Sequence, residues 1–147
     1  MSSYTVESWL KPASTQPTGY GTFAARHGSG NGDQYYLVTS GGTVARWSGF
    51  SATQTISANA WHQVVYSYDG TTERFYIDGV AAGSNVASLV WDANNWRLGM
   101  NTDSDHQYKG VLDEVRISNS VRSADWITTE YNNQNSPATF YGIGVAQ

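Results

Sequence analysis

Few residues in this sequence have the chemistry to act on a substrate, and the adjacent acids Asp113 and Glu114 are the first pair to test. Cleaving a glycosidic bond needs two carboxyl groups facing one cleft, about 5–5.5 Å apart for retention or about 6.5–9.5 Å for inversion. On a strand this requires i, i+2 or i, i+4 spacing, because successive side chains leave opposite faces. Asp113 and Glu114 are therefore expected to splay apart, and no segment that reads as a strand carries alternating acids. No Gly-x-Ser-x-Gly elbow offers a serine nucleophile. His27, His62 and His106 have no histidine or carboxylate partner at ligand spacing on one element, which speaks against zinc. On these residues the chain is expected not to be an enzyme.

Binding chemistry is better supplied. Six Trp and ten Tyr exceed what a core of 147 residues requires, so some are expected at the surface. Tyr35, Trp47, Trp91 and Trp96 are the expected exposed rings, with Trp61 as a core anchor and Trp126 packing a helix onto the sheets. Aromatic planes suit sugars because they cover C–H surface while polar neighbours keep their hydrogen bonds. A few such contacts give a Kd between about 1 mM and 1 μM. If Val115 and Ile117 point into the core, alternation puts Asp113 on the same inward side, where its carboxylate needs backbone N–H groups or a hard cation. Asp103 and Asp105 in the preceding loop supply further oxygens. Two expectations stand side by side, one structural calcium ion on Asp103, Asp105 and Asp113, or a capped turn with solvated loop acids.

The elements that must position these residues are strands. Residues 4–11 alternate and end at Pro12; 35–39 and 43–47 flank Ser40-Gly41-Gly42; 61–68 and 73–78 flank Asp69-Gly70-Thr71-Thr72, a strong hairpin signal. Residues 96–100 and 109–118 add two more. Gly19-Tyr-Gly21-Thr-Phe-Ala24 matches a loose dinucleotide pattern, but it follows Pro17 and leads to Arg26-His27-Gly28, with no strand before and no helix after, so it reads as a loop into a strand. Ser123 is the expected N-cap of one short helix that stops at Asn132-Asn133. One helix against seven or more strands is an all-β sandwich.

Composition narrows the partners. Charged residues make up 14% of the chain, the net charge is −4, and there are 8 Lys plus Arg with no run of them, so nucleic acid and anionic lipid surfaces have little to attract. There is no cysteine, no 18-residue apolar run and no positive-then-apolar N-terminal segment. Neither membrane insertion nor an export signal within these residues is expected.

Three stretches carry a resemblance: Tyr-Thr-Val-Glu-Ser-Trp-Leu-Lys-Pro at 4–12, Trp-His-Gln-Val-Val-Tyr-Ser-Tyr-Asp-Gly-Thr at 61–71 with Phe-Tyr-Ile-Asp-Gly at 75–79, and Tyr-Lys-Gly-Val-Leu-Asp-Glu-Val-Arg-Ile-Ser at 108–118. In this order they resemble the laminin G-like, concanavalin A-like lectin/glucanase jelly roll, over nearly the whole chain as one domain, 1–147. The resemblance implies two curved antiparallel sheets and an extracellular module of a larger secreted or surface protein. It also implies ligands that are glycans, other proteins or neighbouring domains, and in many members a calcium ion. It places the first strand beside the Asp-Glu-Val-Arg-Ile strand. Glu7, Trp9, Glu114 and Arg116 would then share an outer face, either as a sugar-binding floor or as a plain Glu–Arg pair under an amphipathic Trp. The expected function is a non-catalytic carbohydrate-binding or adhesion module. The alternatives are a spacer or protein-interaction domain without a glycan site and a degenerate glycoside hydrolase.

Overall fold

A computed structural model describes residues 3–26, 34–47, 49–90, 95–101 and 105–140. Ten strands run in the order β1 (Tyr4–Pro12), β2 (Tyr20–Arg26), β3 (Gln34–Thr39), β4 (Thr43–Arg46), β5 (Ser51–Thr55), β6 (His62–Tyr68), β7 (Thr72–Ile77), β8 (Val80–Val86), β9 (Trp96–Leu98) and β10 (Gly110–Ser118), followed by α1 (Ala124–Asn135) and the short α2 (Pro137–Phe140). They form two five-stranded sheets, β10-β1-β6-β7-β8 and β5-β4-β3-β2-β9, paired antiparallel throughout. The all-β sandwich expected from the sequence is the architecture observed.

Alternation builds the core. Tyr4, Val6 and Leu10 of β1, Val64, Tyr66 and Tyr68 of β6, and Phe75 and Ile77 of β7 meet Phe23, Ala24, Tyr36, Val38 and Val44 of the second sheet. The sheets are also joined by charge. Arg46 of β4 makes a bidentate pair with Glu73 of β7, Nε–Oε2 2.6 Å and Nη2–Oε1 3.0 Å. The Tyr66 hydroxyl donates to Oε2 and the Asn85 carboxamide to Oε1, both at 2.9 Å. Nearby, the Tyr4 hydroxyl donates to Gln34 Oε1 at 2.9 Å.

A smaller core lies on the other side of the first sheet. The Ser123 hydroxyl caps α1 by accepting the Trp126 N–H, and Asp125 occupies the first turn, where its charge suits the helix dipole. Ile127 and Trp126 then pack on Val65 and Tyr76, so α1 lies over the outward face of the first sheet. The helix runs on through Asn132-Asn133 to Asn135 and stops before Ser136-Pro137, where proline prevents its continuation.

Strand β10 departs from simple alternation. Trp9 pairs with Asp113 and Glu7 with Arg116, which leaves Ser8 opposite two residues, Glu114 and Val115. This is a β-bulge, and Glu114 takes the left-handed backbone, φ 49°, that lets the extra residue be absorbed. The bulge changes the parity of everything before it. Ile117 still points inward beside Val6, but Asp113 points outward beside Trp9, so the expectation of an inward Asp113 is corrected.

Candidate functional site

The parity change places Asp113 and Glu114 together. Both line one recess of about 300 Å³ on the outward face of the first sheet, with Trp9, Trp61, Gln134 and Asn135 as the other walls. The sequence argument that adjacent acids must face apart is thus overturned by the bulge. Trp61 is the opposite case from the one expected. Val64, Tyr66 and Tyr68 point inward, so residues 61, 63 and 65 belong to the outward set, and Trp61, beyond the cover of α1, is 42% exposed.

A belt of polar contacts fixes the recess to α1. Trp9 stacks on Tyr131 with centroids 5.7 Å apart and planes 15° from parallel, and its indole N–H donates to Gln134 Oε1. The Gln134 carboxamide donates to Glu130 Oε1 at 2.6 Å, and Arg116 bridges Glu130 and Glu114, reaching Glu114 Oε2 at 2.6 Å. Asp113 Oδ1 accepts the Glu114 N–H at 2.8 Å. Among the described residues Asp113 Oδ2, Glu114 Oε1, the Trp61 indole N–H and the Asn135 side chain bond to no protein group, and all four residues line the recess.

Glu7 lies next to this belt, 3% exposed, in a narrow extension shared with Trp9, Gln63, Glu114, Arg116 and Gln134. Among the described residues, neither carboxylate oxygen has a hydrogen-bond partner, nor does Gln63 Oε1. Burial raises the Glu7 carboxyl above the ordinary glutamate range, against the pull of Arg116. A raised folded-state value favours the protonated form on folding. Its stabilising effect is present below the ordinary carboxylate range and is lost as pH rises through the raised value. Glu7→Gln should therefore increase the unfolding free energy at pH 7 by about 1–3 kcal/mol, with less gain in acid. Urea unfolding at pH 4 and pH 7 checks this, and a loss of stability at pH 7 would contradict it.

The other expected site residues divide. Arg116 and Trp9 do share the face with Glu7 and Glu114, but α1 covers that face, so a broad floor of these four is not open to a ligand. Trp47 is 42% exposed, on the second sheet, where it stacks on Tyr20, which in turn stacks on His106. Tyr35 is buried, 5% exposed. Trp96 packs into the core against Tyr36 and Tyr4, so neither it nor Tyr35 presents the exposed ring expected. Trp91 and Asp103 lie outside the described residues. Asp105 pairs with His106 at 2.7 Å beside Tyr20, whereas Asp113 is on the outward face of the other sheet. Asp105 and Asp113, the two described members of the expected calcium set, thus sit on different sheets, and among the described residues no three His, Asp or Glu converge as a metal site.

One constellation was missed because its members come from separate elements. His62 Nδ1 donates to Asp78 Oδ2 at 2.7 Å, while Nε2 faces the Ser57 hydroxyl at 2.8 Å. The Ser57 backbone N–H also donates to Nε2, at 3.1 Å, so the ring accepts at Nε2 and the serine is held by two contacts. Asp78 additionally accepts the Gln63 N–H. None of the three lines the recess, and the arrangement clamps the turn before β6 to the turn after β7.

Residues 1–128 match the family model for the concanavalin A-like lectin/glucanases superfamily, in its laminin G-like form. The chain belongs to this superfamily. The family's sandwich recurs in solved structures. Domain 4 of an extracellular GH43 arabinanase from Geobacillus stearothermophilus, in complex with arabinotriose, superposes with a TM-score of 0.60 at 22% identity, over 86% of this chain and 65% of that one. A sialidase from Trypanosoma rangeli superposes with a TM-score of 0.69 at 13% identity, over 91% of this chain and 23% of that one. In sequence, the chain is 26% identical over 163 residues to adhesion G-protein coupled receptor V1 of Danio rerio, covering 97% of this chain but 2% of the receptor. The family model ends at residue 128, so Gln134 and Asn135, which close the recess, lie beyond the matched segment.

Proposed function

We propose that this chain is a carbohydrate-binding module of a larger extracellular protein and that it grips its glycan without cleaving it. The observation that carries this reading is the recess itself. It sets an exposed indole, Trp61, beside two carboxylates and a carboxamide, the combination that stacks on a sugar ring while accepting its hydroxyl protons. The superfamily, the arabinotriose-bound domain and the adhesion receptor support a binding role. What favours grip over hydrolysis is that Asp113 and Glu114 are consecutive residues of one strand, one accepting a backbone N–H and the other paired with Arg116. Trp61→Ala should weaken binding of the recognised polysaccharide at least tenfold, about 1.4 kcal/mol, in affinity gels or calorimetry. Its melting temperature should hold, because Trp61 is 42% exposed and belongs to neither hydrophobic core. Undiminished binding by this variant would remove the recess from the reading.

A further inference from the structure

The recess is acidic as well as aromatic, and this bears on which sugars it takes. Two carboxylates, Asp113 and Glu114, line it, while Glu7, 3% exposed behind Trp9 and Gln134, is out of a ligand's reach. Of the nearby cations, Arg116 is already divided between Glu114 and Glu130, and Lys11, two residues along β1 from Trp9, lines neither the recess nor the space beside it. Arg122 is drawn away over the Trp126 ring, 4.5 Å from its centroid. A ligand therefore meets the Asp113 carboxylate, which no cation bonds among the described residues, with the Trp61 indole alongside. An anionic sugar is repelled there, whereas an ammonium group gains charge-assisted hydrogen bonds from the carboxylates and cation–π attraction from an indole.

Building on the carbohydrate-binding reading, we propose that the recess selects amino sugars, with the protonated amine of a glucosamine-type residue between Asp113 and Glu114 and its ring against Trp61. The probes are β-1,4-linked glucosamine oligomers, their N-acetylated counterparts of equal length, and oligogalacturonate, titrated calorimetrically into the full chain at mildly acidic pH. Glucosamine oligomers should bind at least tenfold more tightly than the N-acetylated ones, oligogalacturonate should not bind, and added salt should narrow the gap.

Because the whole protein is acidic, a control must separate the recess from general attraction. Asp113→Asn should lose most of the preference, while Asp125→Asn, an equal change of charge on an exposed turn outside the recess, should keep it. Trp61-dependent binding that is equal for amine and N-acetyl oligomers, or that falls equally in both Asp variants, overturns the amino-sugar inference and leaves the glycan site standing. Failure of all the oligomers, together with Trp61-independent binding or no binding to other polysaccharides, overturns both.

Discussion

Arg46→Met is expected to destabilise the protein by about 3–5 kcal/mol, the largest loss from any single side chain considered. The reason lies on the other partner. Glu73 is 0% exposed, and without the guanidinium its charge would be left among Tyr66, Asn85 and core side chains with two neutral donors and no counter-ion. At this chain length such a loss lowers Tm by roughly 10 °C. Exchanging both partners, Arg46→Met with Glu73→Leu, should recover much of it, since neutral packing replaces a pair whose desolvation cost is already high.

The pair also sets an acid limit. Burial alone would raise the Glu73 carboxyl, but hydrogen bonds from Arg46, Asn85 and Tyr66 outweigh it and hold the group below the ordinary glutamate range. With a depressed folded-state value, its contribution is present above the unfolded value and is lost as pH falls through the folded one. Wild-type stability should drop below the ordinary carboxylate range, and the double variant should show a shallower decline. Equal acid sensitivity in the two proteins, or a loss under 1 kcal/mol for Arg46→Met in urea unfolding, would contradict this account.

The strands were legible where apolar and aromatic residues alternate. β1, β3, β6, β7 and β10 were all readable, as were the hairpin at Asp69-Gly70 and the cap at Ser123. Ser51–Thr55 was not, because only Ala52 of β5 turns to the core and the other four residues are exposed and polar. Site geometry was harder to read than the fold because it depends on a single inserted residue. Simple alternation through β10 gives an inward Asp113 and opposed acids, whereas a bulge at Glu114 reverses both conclusions, and a non-glycine residue at φ 49° leaves no mark in the sequence. Trp61 shows a different failure. Its size suggested a core anchor, yet the parity set by Val64, Tyr66 and Tyr68 already assigned it outward. Contacts between elements, such as Trp9 with Gln134 or His62 with Asp78, leave no local signature at all.

Ile127→Ala tests whether the helix is part of the site or only a neighbour of it. Ile127 is fully buried against Val65 and Tyr76, so truncation removes the centre of the smaller core and should cost about 2–4 kcal/mol. The consequence reaches the recess through helical geometry. Residues 127, 131 and 134 recur at i, i+4 and i+7 on one stripe, so loosening the first weakens the seating of Tyr131 on Trp9 and of Gln134 on the Trp9 indole. The main sandwich does not depend on that stripe. The expected signature is therefore faster amide exchange along α1 with the exchange of β3 and β6 little changed, together with at least a tenfold loss of glycan binding. A variant that loses stability but binds as tightly as the parent would show that β1, β6 and β10 alone make the site and that Gln134 and Asn135 only border it.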